Sequence, residues 1–266
     1  KNDINQWIAP TRDIKVHSLY QTSFPYANKS IVVVNTGSKI YTIDFKKHAL
    51  LSEHNFENGE NILETCPASE AVAYLKDNNL YVTRGLKVWQ LSTDGSRDIV
   101  YGQSVHRDEF GIRKGTYWSN DGEKLAFYRM DQSMVTDYPQ VDIPEIGFNH
   151  PETQSCIATA APDKYPRAGE TSHKVTVGVF NLNTGTTVYL QAGDPTDRYF
   201  TNISWSPDSK TIYMFELNRD QNDCHLVAYN AETGKKQCEL YHETDEKYVE
   251  PQNPIVFLPW DSNSFI

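Results

Sequence analysis

The sequence has no run of 18 apolar residues, which excludes a membrane-spanning helix. It does not open on the apolar core of a secretory leader either, since residues 1–10 (KNDINQWIAP) lack one. The expectation is that a leader has been removed or that the chain begins inside a longer protein. Basic residues are too few for a phosphate-binding surface: 25 Lys and Arg stand against 35 Asp and Glu, a net charge of −10, so no nucleic-acid partner is expected. Cysteine is scarce. None of Cys66, Cys156, Cys224 and Cys238 forms a C-x-x-C pair, which leaves a zinc ribbon unsupported. The eight histidines fit neither H-E-x-x-H nor a calcium-loop spacing, so no metal and no other cofactor is expected, and His106 and His173 read as structural. A nucleophile elbow, G-x-S-x-G, is also missing. The nearest string, Gly102-Gln103-Ser104-Val105-His106, puts a bulky imidazole where the strained turn needs glycine. No catalytic residue is therefore assigned in this chain.

Long helical periodicity is missing, and what fills its place is short alternating segments rich in aromatics, which make up 12% of the 266 residues. Strands are expected near Ser30–Asn35, Lys39–Phe45, Ala71–Leu75, Leu80–Arg84, Lys87–Ser92 and Asp98–Tyr101. Turn residues separate them, as in Asn35-Thr36-Gly37 and Thr93-Asp94-Gly95. An internal repeat is present. Residues 117–127 (YWSNDGEKLAF) match residues 204–214 (SWSPDSKTIYM), and a fainter copy begins at Cys66-Pro67. Each of the two clear copies is followed by a hairpin signal, FNLNTG at 180–185 and YNAETG at 229–234. Propeller blades recur about every 40–50 residues. The two Trp, 118 and 205, are 87 positions apart, which corresponds to one blade plus an insertion. The fold expected is an all-β, partial β-propeller of roughly four to five four-stranded antiparallel blades.

The blades group as about 1–60, 61–105, 106–200 and 201–247, with a fifth beginning near Tyr248. The insertion, about 131–171, lies in the third blade. It has little alternation and holds Pro139, Pro144, Pro151, Pro162 and Pro166, so it is not central strand. The sequence stops at Ser264-Phe265-Ile266 within an apparent strand, which leads us to expect a longer polypeptide.

Just before the first full repeat lies an acidic pair, Asp108-Glu109. A primary ammonium has three N–H donors and no acceptor, so two converging carboxylates suit it. Neighbours on a strand point to opposite faces, so convergence needs a turn. The competing reading is a solvated acidic pair screened by Arg107, Arg113 and Lys114. For the cysteines, a simple hairpin with Tyr229 facing Lys235 would set Cys224 opposite Leu240, diagonal to Cys238. That geometry disfavours a bridge, and free thiols are expected.

Residues 106–135 (HRDEFGIRKGTYWSNDGEKLAFYRMDQSMV), 164–185 (KYPRAGETSHKVTVGVFNLNTG), 198–208 (RYFTNISWSPD), 216–222 (ELNRDQN) and 247–254 (KYVEPQNP) resemble the N-terminal β-propeller of bacterial dipeptidyl peptidase IV, Bacteroides-type members most. The resemblance covers about residues 65–266, while residues 1–60 match loosely. It implies a secreted or periplasmic serine exopeptidase of the prolyl oligopeptidase clan. In such enzymes an eight-bladed propeller caps an α/β-hydrolase domain that carries the triad, and X-Pro or X-Ala dipeptides are released from peptides with a free N-terminus. Carried onto this sequence, the resemblance makes Glu109 the ligand of the substrate amine and Asp108 its partner, where the family usually has a Glu pair. Tyr248 and Val249 match an outer subsite. The family's propeller Arg has no counterpart in the short stretch Val33–Lys39. The insertion around 131–169 resembles the extension through which relatives form homodimers. The alternative is a non-catalytic propeller acting as a periplasmic binding scaffold, which the sequence downstream of Ile266 would distinguish. A propeller glycosidase would need separated carboxylates at the funnel centre, and the spacing does not demand them.

Overall fold

A computed structural model of the chain describes residues 2–8, 16–24, 29–57, 60–143 and 158–266. Four antiparallel sheets follow one another along the chain, each with its strands in chain order, the third interrupted by the insertion. The first contains Thr22–Ser23, Ile31–Asn35, Lys39–Asp44 and Ala49–Asn55. The second contains Glu60–Thr65, Val72–Lys76, Asn79–Arg84 and Lys87–Gln90. The third runs Thr116–Trp118, Lys124–Asp131, Lys174–Asn181 and Thr186–Tyr189, with Ile99–Tyr101 also paired to Lys124–Asp131. The fourth is Arg198–Trp205, Thr211–Asn218, Asp223–Asn230 and Lys236–Thr244. A further pair, Phe257–Leu258 with Asp261–Phe265, follows it. These are the four-stranded blades of a β-propeller.

The blades pack face to face because their middle strands are apolar on both sides. Along Lys124–Asp131, Leu125 and Phe127 join Leu75, Leu80 and Val82 of the second blade. Ala126 and Tyr128, pointing the other way, join Ile212, Met214 and Tyr229 of the fourth. Gly178 lies against the Phe127 ring, where a Cβ would stand 2.5 Å from it. Val33, Ile40, Val72 and Tyr74 fill the space between the first two blades. A short helix the sequence reading missed, Asn2–Ile8, buries Ile4 and Ile8 on the first sheet beside Tyr41 and Ile43.

The repeat has a local cause. In both clear copies a serine hydroxyl bonds the Asp two residues on: Ser119 to Asp121 and Ser206 to Asp208, each at 2.6 Å. The same hydroxyl accepts the backbone N–H that opens the next strand, Lys124 in one copy and Thr211 in the other. The hairpin signals agree as well. Asn181 and Asn230 side chains each accept two backbone N–H groups, and Gly185 and Gly234 close the turns at φ 71° and 70°.

Within the insertion, Asp137–Tyr138 pairs with Asp163–Lys164 and Val141–Asp142 with Thr159–Ala160, in one continuous antiparallel register. That register sets Pro139 opposite Pro162. Neither has an N–H to give, so the ladder breaks there into two short pieces. Of the other prolines expected in the insertion, Pro166 is described just after the ribbon, while Pro144 and Pro151, with Cys156, lie outside the described residues. One expectation needs correcting, in the hairpin after Asp223. Two register shifts move the partner of Tyr229 to Lys236 and that of Cys224 to Glu243, so Leu240 does not face Cys224. Cys66, Cys224 and Cys238 are free thiols.

Candidate functional site

The acidic pair sits on a loop, residues 102–115, that leaves and rejoins the third blade at one residue. Gly102 N–H bonds the Tyr128 carbonyl at 2.9 Å, and Tyr128 N–H bonds the Gly115 carbonyl at 3.0 Å. A loop with such close ends is compact and positioned by its scaffold.

Inside it the backbone is unusual. His106, Arg107 and Asp108 have φ of 53°, 58° and 62°, followed by an extended Glu109 (φ −69°, ψ 172°). Phe110 and Gly111 return to positive φ, 56° and 72°. Four non-glycine residues in the left-handed region cost roughly 1–2 kcal/mol each, so strong anchors must hold them.

Those anchors are visible. Phe110 is buried among Tyr199, Leu217, Cys224 and Val249. Gly111 meets the chain at Gln252 so closely that a Cβ would lie 2.0 Å from the Gln252 carbonyl oxygen. His106 is also buried; its Nε2 accepts the Phe200 N–H at 3.2 Å, and its Nδ1 lies 2.8 Å from His173 Nε2. With Nε2 accepting, Nδ1 carries the proton and donates to His173. Burial holds His106 well below the usual imidazole range, with the His173 charge opposing protonation further. His173 is pushed down to about 4, first by burial and then by Arg219 and Arg107. Both rings are therefore neutral and structural at neutral pH, as the sequence implied. Arg107 pairs with Asp163 of the ribbon at 2.8 Å and stands over the Tyr165 ring.

The pair lies at the end of a single short turn, and both carboxylates are exposed. They take different neighbours. Asp108 lines a cavity of about 190 Å³ with Ser104, Arg107, Lys164 and His173. Glu109 acts on Tyr199, whose phenol is raised by burial first, with Glu109 adding to the shift and Arg219 opposing it. Arg219, which the sequence reading passed over, donates to the Glu170 carbonyl at 3.0 Å. Its Nη1 is buried without a hydrogen-bond partner among the described residues, so fixed positive charge sits behind the loop. The run ELNRDQN was the available signal, but nothing local to it marks the proximity to residue 109.

Tyr248 and Val249 separate. Tyr248 is exposed, whereas Val249 is buried under Phe110 and serves as packing. Nearby, an irregular step in the strand Arg198–Trp205 turns Asn202 to positive φ, and its amide donates to the Pro251 carbonyl at 2.8 Å. This fixes the segment that clamps Gly111. Among the described residues Ser104 Oγ is buried without a hydrogen-bond partner, and His173 Nε2 is engaged by His106. The stretch Val33–Lys39 is a tight hairpin, with Gly37 N–H bonding the Asn35 side chain, and offers no Arg.

The family described as the dipeptidyl peptidase IV N-terminal region matches residues 26–266. A structure titled as a putative dipeptidyl aminopeptidase IV from Bacteroides ovatus is 47% identical and superposes with a TM-score of 0.86, over 99% of this chain and 35% of that one. Porphyromonas gingivalis dipeptidyl peptidase 4 shares the fold, with a TM-score of 0.68 at 22% identity over 90% of this chain and 33% of that one. A protein named probable dipeptidyl-aminopeptidase B from Pyrenophora tritici-repentis is 29% identical over 239 residues, 82% of this chain and 26% of its own length. The chain thus spans about a quarter of that fungal relative and about a third of the two bacterial structures.

Proposed function

The chain belongs to the dipeptidyl peptidase IV N-terminal family, and we propose that it is the substrate-gating propeller of a dipeptidyl peptidase whose catalytic residues lie in a companion α/β-hydrolase domain. In this reading Glu109 holds the protonated N-terminus of a peptide, with Asp108 as its partner, and cleavage follows the second residue because that grip fixes the distance to the nucleophile. The observation that carries the reading is the exposed Glu109 on a loop whose flanking His106 and Phe110 are both buried. A carboxylate presented by a rigid support can set distance, and one on a mobile loop cannot. The chemistry proposed is serine-type release of X-Pro or X-Ala dipeptides, in a periplasmic or secreted enzyme. The exposed Tyr138, Val141, Ile143 and Tyr165 of the ribbon would form part of a homodimer contact.

The test is Glu109→Gln in the full-length enzyme, assayed on Gly-Pro and Ala-Pro chromogenic amides. Losing one charge-assisted bond, about 1.5–3 kcal/mol, should lower kcat/KM by roughly 10- to 100-fold, mainly through KM. Asp108→Asn should cost less, because Asp108 shares its cavity with Arg107 and Lys164. Wild-type kcat/KM in the Glu109 variant would refute the assignment.

A further inference from the structure

On the outer side of the fourth blade, far in sequence from the acidic loop, Asp223 and His225 lie two apart on one strand and so share a face. His242 stands directly opposite His225 on the neighbouring strand, Lys236–Thr244. The two imidazoles stack with centroids 4.1 Å apart and planes 9° apart. Both Nε2 atoms converge on one carboxylate oxygen, Asp223 Oδ1, at 2.6 Å from His242 and 3.3 Å from His225. Behind His225, the Glu239 carboxylate lies 3.2 Å from Nδ1, a contact at ion-pair distance that is not aligned as a hydrogen bond.

We propose that Asp223, His225 and His242 form a binding site for a divalent transition-metal ion, of the zinc, cobalt or nickel class. Three donor atoms from three side chains lie within 4.8 Å of one another, on a paired strand ladder that holds them in register; a metal taken by both imidazoles requires the stacked rings to fan apart, since each Nε2 lone pair lies in its ring plane. Tetrahedral zinc with bonds of about 2.0–2.1 Å separates its ligand atoms by about 3.4 Å. The 3.3 Å distance is of that size, and the 2.6 Å distance opens to it with a small rotation of His242, which is half exposed. Imidazole with a single carboxylate selects this class over calcium or magnesium, which require mostly oxygen ligands. Glu239 is close enough to accept the other ring proton of His225 once that ring turns to a metal, the way a carboxylate orients a metal-bound histidine. A water would complete the coordination. The site is invisible to sequence spacing rules because it depends on the two register shifts in this hairpin. In the unshifted register expected from the sequence, His225 would face Glu239 instead of His242.

The test is a titration of the intact protein with zinc chloride by calorimetry, and with cobalt(II) by visible absorption. The expected result is one zinc per chain at micromolar affinity or tighter, with an intense visible band for four-coordinate cobalt. The double variant His225→Ala/His242→Ala should bind at least roughly 100-fold more weakly, because two of three ligands are gone. Glu239→Gln should weaken binding by about 10-fold with the stoichiometry kept, since it acts only through His225. His242→Gln, which keeps a polar side chain at the exposed position, guards against a folding defect and should lose the cobalt band while retaining the wild-type circular dichroism. Equal zinc affinity in wild type and the double variant, or a six-coordinate cobalt spectrum in the wild type, would overturn the proposal.

Discussion

Gly111→Ala is the sharpest test of how the acidic loop is held. Gly111 has φ of 72°, where any L side chain is strained, and an added Cβ would lie 2.0 Å from the Gln252 carbonyl oxygen. Gly85 shares the first handicap, with φ of 60°, but has nothing within 4 Å of its Cβ position. Alanine at residue 85 should therefore cost only the conformational share, about 1–2 kcal/mol. Alanine at residue 111 should cost that plus the displacement of a backbone carbonyl, which Asn202 fixes one residue away through Pro251. A total of roughly 3–5 kcal/mol is expected, at the upper end for single substitutions. Urea unfolding followed by tryptophan fluorescence measures both variants under one condition, and the difference between them isolates the steric contribution. If the two costs agree within about 0.5 kcal/mol, the usual margin for comparing independent sites, the close approach at Gln252 is refuted. The loop would then lack the support that the ruler function requires.

Two other outcomes follow from the buried polar groups. His173, lowered to about 4, and His106, lowered further, are neutral in the fold, while an unfolded imidazole titrates near 6.5. Between those values the unfolded chain binds more protons, so stability should be complete above about pH 6.5 and fall as pH drops toward 4. Urea midpoints measured from pH 7 to pH 4.5 should show this slope, and His173→Phe should flatten it. Lowered carboxylates such as Asp44 and Asp94 add only at the acid end of this window, because their contribution starts to be lost below about pH 5, as the unfolded carboxyls protonate. Glu216, buried in the fourth blade, accepts from both Arg198 and the Tyr229 hydroxyl. Glu216→Ala leaves the buried Tyr229 hydroxyl without its acceptor and Arg198 with backbone carbonyls alone, and should cost about 3 kcal/mol in the same assay; a loss below about 1 kcal/mol would mean the network is no better than a surface pair.

Most strands were legible because their signals are local. Ser30–Asn35, Lys39–Phe45 and Leu80–Arg84 were expected within a residue of Ile31–Asn35, Lys39–Asp44 and Asn79–Arg84. Alternation and turn residues are enough where both faces of a strand are buried. What escaped depends on partners remote in sequence. The ribbon strands Asp137–Tyr138, Val141–Asp142 and Thr159–Ala160 are exposed and too short to carry apolar alternation. The helix Asn2–Ile8 is under two turns long and is stabilised by the first sheet, not by periodicity. The acidic pair could be found by its charge and by resemblance, but its left-handed backbone could not. Gly111 is the glycine that signals positive φ there, while His106 and Phe110 are held by burial and Arg107 by its pairing with Asp163. The separation of Tyr248 from Val249 likewise rests on Phe110 reaching across from another blade.

The bracket of serine and aspartate that opens the middle strands of the third and fourth blades also joins them. Trp205 Nε1 donates to the Tyr117 carbonyl, Asn120 to the Ser206 carbonyl, and Lys124 Nζ to the Ser209 carbonyl. The residues that recur in sequence are thus the ones that meet in space, each copy gripping the next. A module that recognises its own duplicate can lengthen a ring by gene copying alone, since every added unit arrives with its interface already made.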